Sequence, residues 1–145
     1  MPKRDSSSKH YNKTNHTYES LVQAASHYPN EKNYCAVIAL ALSLGINFGK
    51  ARKILLEQGR KTGEGTLPRA THRAIEQGGK RIEYMPRSST GTVGTLTRRL
   101  PSKGTFLIHV ARHILTVVDG KVQDWSITQK PRMAVRMVFQ VIDYI

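Results

Sequence analysis

Apolar residues in the first half of the chain recur at helical spacing and predict four helices. The predicted segments are YESLVQAA after Thr17, the run over residues 34–44, FGKARKILLEQ from Phe48, and TLPRATHRAIEQ from Thr66. The second segment is apolar on every face, which is typical of a helix buried inside a domain. Its predicted N-cap is Asn33, and Thr66 is the predicted N-cap of the fourth helix.

The second half of the chain changes to Val, Ile, Thr and Phe at the density of β-strands. The predicted strands are KRIEYMP, FLIHV, HILTVV, KVQDW and RMAVRMVFQVIDY, with a small helix over residues 92–100 between the first two. Asp119 and Gly120 predict a tight turn, which makes HILTVV and KVQDW antiparallel neighbours. Helices followed by an antiparallel sheet predict an α+β fold.

The length of 145 residues is enough for one hydrophobic core, so residues 17–145 are predicted to form a single domain. Residues 1–16 are polar and basic, which predicts a mobile tail. Cys35 is the only cysteine, which excludes an intramolecular disulfide and favours a reducing compartment, the cytoplasm. The N-terminus lacks the apolar core of a signal peptide, and the longest apolar run is too short for a bilayer, so no membrane association is predicted.

The net charge of +13 is the main compositional signal. It predicts contact with an anionic partner, and nucleic acid bound without sequence preference is one such partner. The cations expected to take part lie in and just after the predicted third helix: Lys50, Arg52, Lys53, Arg60 and Lys61. A basic surface that only keeps the protein in solution is the alternative, and the charge pattern does not decide between the two.

Three residues form the candidate catalytic set. Cys35 is at the predicted start of the buried helix, where the helix dipole favours a thiolate. His113 opens a strand, and the hairpin that follows brings Asp124 back toward it, where a carboxylate orients an imidazole. Two of them have an ordinary structural alternative: Cys35 as a small core residue and His113 as a histidine bonded to nearby backbone. His109 is a minor alternative base, and Asp119 is explained by turn geometry alone.

The order and spacing of these residues resemble those of papain-like cysteine peptidases of the bacteriocin-leader-peptidase type and of small bacteriophage proteins similar to them. The stretches that carry the resemblance are NYCAVIALALSLG, GRKTGEGT, GTFLIHVARHILTVVDGK and VQDW. The resemblance implies a papain-like fold in which the helices, including the cysteine helix, pack on the antiparallel sheet. It implies that Cys35 attacks the carbonyl of a peptide or protein substrate, His113 moves the proton and Asp124 steadies His113. No cofactor and no metal site are predicted.

One position departs from the family pattern. The family carries a glutamine six residues before the cysteine to help hold the oxyanion, and this chain has Pro29 there. Asn30 is the nearest amide and the expected oxyanion donor, together with the backbone N–H of Cys35. The alternative for Asn30 is a turn residue after proline. Two other functions stay open: acyl transfer or deamidation by the same triad, and a non-enzymatic, phage-encoded basic protein that binds nucleic acid or a host protein on a peptidase-like scaffold.

Overall fold

The structure, a computed structural model, describes residues 16–143. This part of the chain contains helices and a five-stranded antiparallel sheet, so the predicted α+β class is confirmed. Contacts divide the chain after Gly78 into two compact units, a helical unit and a sheet unit. The single domain over residues 17–145 and its papain-like arrangement stay predictions. The predicted tail lies outside the described residues except for its last residue, His16.

The helical unit is arranged around its second helix. Its helices in the described residues are α1 (Tyr18–Ala25), α2 (Cys35–Leu44), α3 (Phe48–Glu57) and α4 (Pro68–Gln77). α2 contacts each of the other three, and its residues 36–43 are all buried. Ala and Leu, which favour helix most strongly, make up more than half of its sequence. It ends at Gly45, whose φ of 70° is the left-handed conformation common after a helix.

Two of the predicted helix caps are wrong. The N-cap of α2 is Tyr34, which makes no side-chain cap hydrogen bond. Asn33 instead has a φ of 54°, and its Nδ2 donates to the Gly63 carbonyl at 3.1 Å. The N-cap of α4 is Leu67 rather than Thr66, because Pro68 with its fixed φ occupies the first helical position.

The sheet unit has strands in the spatial order β1-β5-β2-β3-β4, and every neighbouring pair is antiparallel. The strands are β1 (Lys80–Tyr84), β2 (Thr105–Val110), β3 (His113–Val118), β4 (Lys121–Gln123) and β5 (Met137–Asp143). Two short helices accompany them, α5 (Leu96–Arg99) after β1 and α6 (Ser126–Gln129) after β4. The predicted turn between β3 and β4 is confirmed, with φ values of 48° at Asp119 and 82° at Gly120, as a type I′ turn requires.

Three predicted strands are too long. KRIEYMP ends as a strand at Tyr84, because Pro86 begins a short 3₁₀ helix. KVQDW leaves the sheet after Gln123, because the Asp124 side chain accepts the backbone N–H of Ser126 and bends the chain. The last strand begins only at Met137, and the residues before it make a single bridge, between Ala134 and Thr92. The segment over residues 131–136 therefore forms a connection rather than a strand, and only its Val135 side chain is buried in the core.

The core of the sheet unit lies on the face of the sheet that carries Phe106 and Ile108 of β2. The other buried members of this core come from β3, β5, the segment over residues 93–100 and Val135: Val93, Leu96, Leu100, Val110, Leu115, Val117, Val135 and Val138. Within residues 16–143 no single helix is long and apolar enough to span a bilayer. α2 and α3 meet that length and apolarity only as a pair, which is bent by 111°.

Candidate active site

Cys35 is the first residue of α2 and is half-buried. Its predicted position at the start of the buried helix is therefore confirmed, although the cap residue is different. The backbone N–H groups of a first helical turn are not used by the helix itself, and they create a positive potential there. A thiolate is stabilised by such a position, and so is an oxyanion next to it.

The loop before Cys35 is held by a buried carboxylate, Glu31. Arg60 donates to both of its oxygens, at 2.8 and 3.0 Å, and Arg52 Nε donates to Oε2 at 2.6 Å. The backbone N–H of Gly63 donates to Oε1 at 3.0 Å. The Arg60 hydrogen bonds, helped by those from Gly63 and Arg52, lower the pKa of Glu31 to about 2 against the effect of burial. Glu31 is thus ionised at neutral pH and anchors the chain just before the thiol.

Two of the cations predicted to contact nucleic acid, Arg52 and Arg60, belong to this ion pair. The Arg60 side chain is 0% exposed, so a phosphate does not reach it. Arg52 is 24% exposed and engaged three times: by Glu31, by the Thr62 hydroxyl, and by the Tyr28 ring 4.9 Å away. The buried carboxylate requires both cations, which is why they are not free for a partner. The other cations of that set are exposed, and their role stays a prediction: Lys50, Lys53 and Lys61.

Asn30, the expected oxyanion donor, is exposed and follows Pro29 in a turn. The backbone N–H of Glu31 closes this turn on the Tyr28 carbonyl at 2.9 Å. Asn30 therefore lies in a turn, which was the structural alternative for this residue. Its role as an oxyanion donor stays a prediction. The backbone of Asn30 is also close to Gly63, since a Cβ on Gly63 would lie 3.0 Å from the Asn30 carbonyl oxygen.

His113 and Asp124 are brought together in the sheet unit. His113 opens β3 opposite Val110, and the β3–β4 register, continued by one residue, puts Asp124 beside Leu115 on the same face of the sheet. His113 Nε2 lies 2.8 Å from Asp124 Oδ2. Their side chains are 12% and 4% exposed, respectively. The proximity that the strand order predicted is present, and the catalytic roles stay predictions.

Two neighbouring residues contact this pair, and neither contact was predicted from the sequence. Ser126 is fully buried and donates to Asp124 Oδ2 twice, from its backbone N–H at 3.1 Å and from its hydroxyl. The Trp125 ring lies 5.2 Å from the His113 ring, tilted by 45°. Asp124 Oδ2 therefore receives three hydrogen bonds, and an indole covers part of the imidazole. The sequence signal for Ser126 is its spacing: a donor two residues after an aspartate is typical of a side-chain turn.

His109, the minor alternative base, lies on the other face of the sheet. It pairs with Ile114 rather than His113, and successive residues of a strand point to opposite faces. It is buried, and its ring meets Phe139 edge-to-face at 5.6 Å. Asp119 accepts the backbone N–H of Gly104 at 2.9 Å, which agrees with a turn residue.

No protein-family model, curated protein or solved structure matches this chain. Among residues 16–143, no three His, Cys, Asp or Glu side chains are grouped so that they could hold a metal ion.

Proposed function

We propose that this protein is a thiol hydrolase of the papain-like cysteine peptidase type, with Cys35 as nucleophile, His113 as base and Asp124 as the residue that orients the base. The observation that carries the proposal is the contact of 2.8 Å between His113 Nε2 and Asp124 Oδ2. A histidine held by a buried carboxylate is the acid–base part of a catalytic triad. The position of Cys35 at the start of a helix supports its role as a thiolate.

The proposed reaction has two stages. In the first, the Cys35 thiol gives its proton to His113, its sulfur attacks the carbonyl carbon of a peptide bond, and negative charge collects on the carbonyl oxygen. The C–N bond then breaks, the amine takes the proton from His113, and a thioester remains on Cys35. In the second, a water molecule gives a proton to His113 and attacks the thioester, which releases the carboxylic acid and restores the thiol.

Each residue has one task in this reaction. Because Asp124 contacts Nε2, the nitrogen of His113 that exchanges protons with Cys35 is Nδ1. The oxyanion accepts from the backbone N–H of Cys35 and from the Asn30 amide. The Glu31 ion pair holds the loop that carries Asn30 and leads to Cys35. We assign the reaction to the cytoplasm, that of a host cell for a phage-encoded chain, because a single catalytic cysteine must stay reduced.

The test is the rate at which iodoacetamide alkylates Cys35 between about pH 5 and pH 9, followed by intact mass. Cys35 is the only cysteine, so one adduct reports on one site. An ordinary thiol reacts about tenfold more slowly for each pH unit below its pKa of about 8.5. We expect fast alkylation to persist well below pH 7 in the native protein and to be lost in His113→Ala.

The control is His27→Ala, which removes an exposed histidine from the helical unit and is expected to leave the pH profile unchanged. His109→Asn tests the alternative base and is also expected to keep fast alkylation. Slow alkylation that is the same in the native protein and in His113→Ala would assign Cys35 to the core. Binding without catalysis would then be the remaining function, and the hydrolase proposal would be lost.

A further inference from the structure

The segment that follows Asp124 and α6 in the chain lines an open pocket of 450 Å³ in the sheet unit. Its lining residues are Gln129, Lys130, Pro131, Arg132 and Met133, and this set is called the 129–133 pocket. Two backbone hydrogen bonds fix its shape: the Gly94 N–H donates to the Pro131 carbonyl at 2.8 Å, and the Val93 N–H donates to the Met133 carbonyl at 3.0 Å. The pocket combines apolar surface, from Pro131 and Met133, with two exposed cations, Lys130 and Arg132.

The pocket is close in the chain to the His113 site. The short helix α6 joins Trp125, whose ring is 5.2 Å from His113, directly to Lys130. Two more exposed cations lie at the end of the sheet where β3 begins. Arg112 is in the turn just before His113, and the backbone N–H of Arg136 donates to the His109 carbonyl at 2.9 Å.

Described carboxylates do not neutralise these four cations. Residues 125–142 contain no Asp or Glu. Asp124 is buried against His113, and Asp119 lies in the turn at the opposite end of β3, bonded to Gly104. The contrast with the helical unit is clear, since Arg52 and Arg60 there share Glu31. Exposed cations without a carboxylate beside them create a positive potential that attracts anions.

We propose that the 129–133 pocket, with Arg112 and Arg136, binds acidic residues of the peptide that the candidate active site cleaves. The substrate part of this inference rests on the proposed function, whereas binding itself does not require the Cys35 thiol. A guanidinium matches a carboxylate through two parallel hydrogen bonds, and the apolar surface of the pocket accepts the methylene groups of a glutamate. Single-stranded nucleic acid fits less well, because none of the lining residues is aromatic and bases need a ring on which to stack.

The test measures binding by fluorescence anisotropy. It uses the Cys35→Ala protein, so that no peptide probe is cleaved during the measurement. The probes are a short labelled peptide rich in Glu, the same peptide with Gln at those positions, and a single-stranded oligonucleotide of matched charge. We expect the Glu peptide to bind about tenfold or more tightly than the Gln peptide and the oligonucleotide. The double variant K130Q/R132Q is expected to lose about tenfold in affinity for the Glu peptide, because two ion pairs are removed.

The matched control is K103Q/K121Q, which removes two exposed cations from the opposite end of the sheet and is expected to change affinity less than about twofold. Equal losses of affinity in the two double variants would contradict the proposed binding site, since they would indicate that affinity depends on net charge alone. Tighter binding of the oligonucleotide, or no binding of the Glu peptide, would overturn it as well. If the alkylation test fails but the protein still binds the Glu peptide selectively, the hydrolase proposal is wrong. The pocket then remains a site for acidic peptides.

Discussion

His113 Nε2 lies 2.8 Å from Asp124 Oδ2, although the two residues are eleven positions apart in the chain. The contact follows from the β3–β4 hairpin, whose type I′ turn at Asp119 and Gly120 returns β4 along β3 in a fixed register. The carboxylate fixes the orientation of the imidazole through this contact. A change on either side of this contact is therefore expected to alter the titration of His113.

Ser126→Ala removes the side-chain hydrogen bond that Ser126 donates to Asp124 Oδ2. With one donor fewer, more of the carboxylate charge acts on the imidazolium, so we expect the midpoint of the His113 titration to move to higher pH. The measurement is an NMR titration of the His113 ring protons in the native protein and in the variant.

The control for Ser126→Ala is Thr128→Ala on the same short helix. The Thr128 hydroxyl donates to the Trp125 carbonyl at 3.1 Å and does not touch Asp124. It is expected to leave the His113 midpoint where it is in the native protein. A midpoint that moves equally in both variants, or to lower pH in Ser126→Ala, would contradict the role given to Ser126.

Trp125 offers a second readout of His113, because it is the only tryptophan and its ring is 5.2 Å from the imidazole. A protonated imidazole quenches indole fluorescence more strongly than a neutral one. We expect the emission of Trp125 to rise as pH increases through the titration of His113, and this step to be absent in His113→Gln. His109→Gln, which changes a histidine on the other face of the sheet, should keep the step. A step that survives His113→Gln would assign the quenching to another group.

Local patterns predicted the elements that carry the candidate residues. α2 was predicted because a continuous apolar run is compatible with a helix buried on all sides. The nearness of Asp124 to His113 was predicted because a two-residue turn fixes the register of a hairpin. Both arguments use residues that are close in the chain.

Contacts between distant segments were not predicted. Glu31 and Arg60 are 29 residues apart and carry no pattern that pairs them, so Arg60 was assigned to the surface by its charge alone. Asn33 was assigned as a cap by residue type, whereas in the structure its side chain bonds the carbonyl of Gly63, 30 residues away. Tertiary partners decided the role of each of these polar side chains.

Glu31→Gln tests the buried ion pair. The change leaves Arg60, whose side chain is 0% exposed, without a charged partner, so we expect the free energy of unfolding to fall by about 3 kcal/mol at neutral pH. Urea unfolding followed by circular dichroism measures it. Glu64→Gln, an exposed carboxylate beside Gly63, is the matched control and is expected to change stability by less than about 0.5 kcal/mol. Equal stability of the two variants would contradict the importance of the pair.

The same pair predicts a dependence of stability on acid. The pKa of Glu31 is lowered from 4.5 to about 2, chiefly by hydrogen bonds from Arg60. A lowered pKa in the folded state means that the contribution to stability is complete above pH 4.5 and is lost as pH falls through about 2. The difference in unfolding free energy between native protein and Glu31→Gln should therefore be constant from neutral pH to about pH 5 and shrink below it. A difference that shrinks already between pH 7 and pH 5 would point to a different group.

Gly63→Ala tests how the loop before Cys35 is held. Gly63 has a φ of 82°, which an alanine adopts only with strain, and an added Cβ would lie 3.0 Å from the Asn30 carbonyl oxygen. We expect a loss of about 1–2 kcal/mol in the free energy of unfolding, measured in urea. Gly65→Ala is the matched control two residues away, because that glycine has no left-handed φ and no atom within 4 Å of an added Cβ. It is expected to be neutral or slightly stabilising, since alanine restricts the unfolded chain. If both variants were equally stable, the loop would be adapting to the extra methyl group, and the contact between Gly63 and Asn30 would not be a constraint on the approach to Cys35.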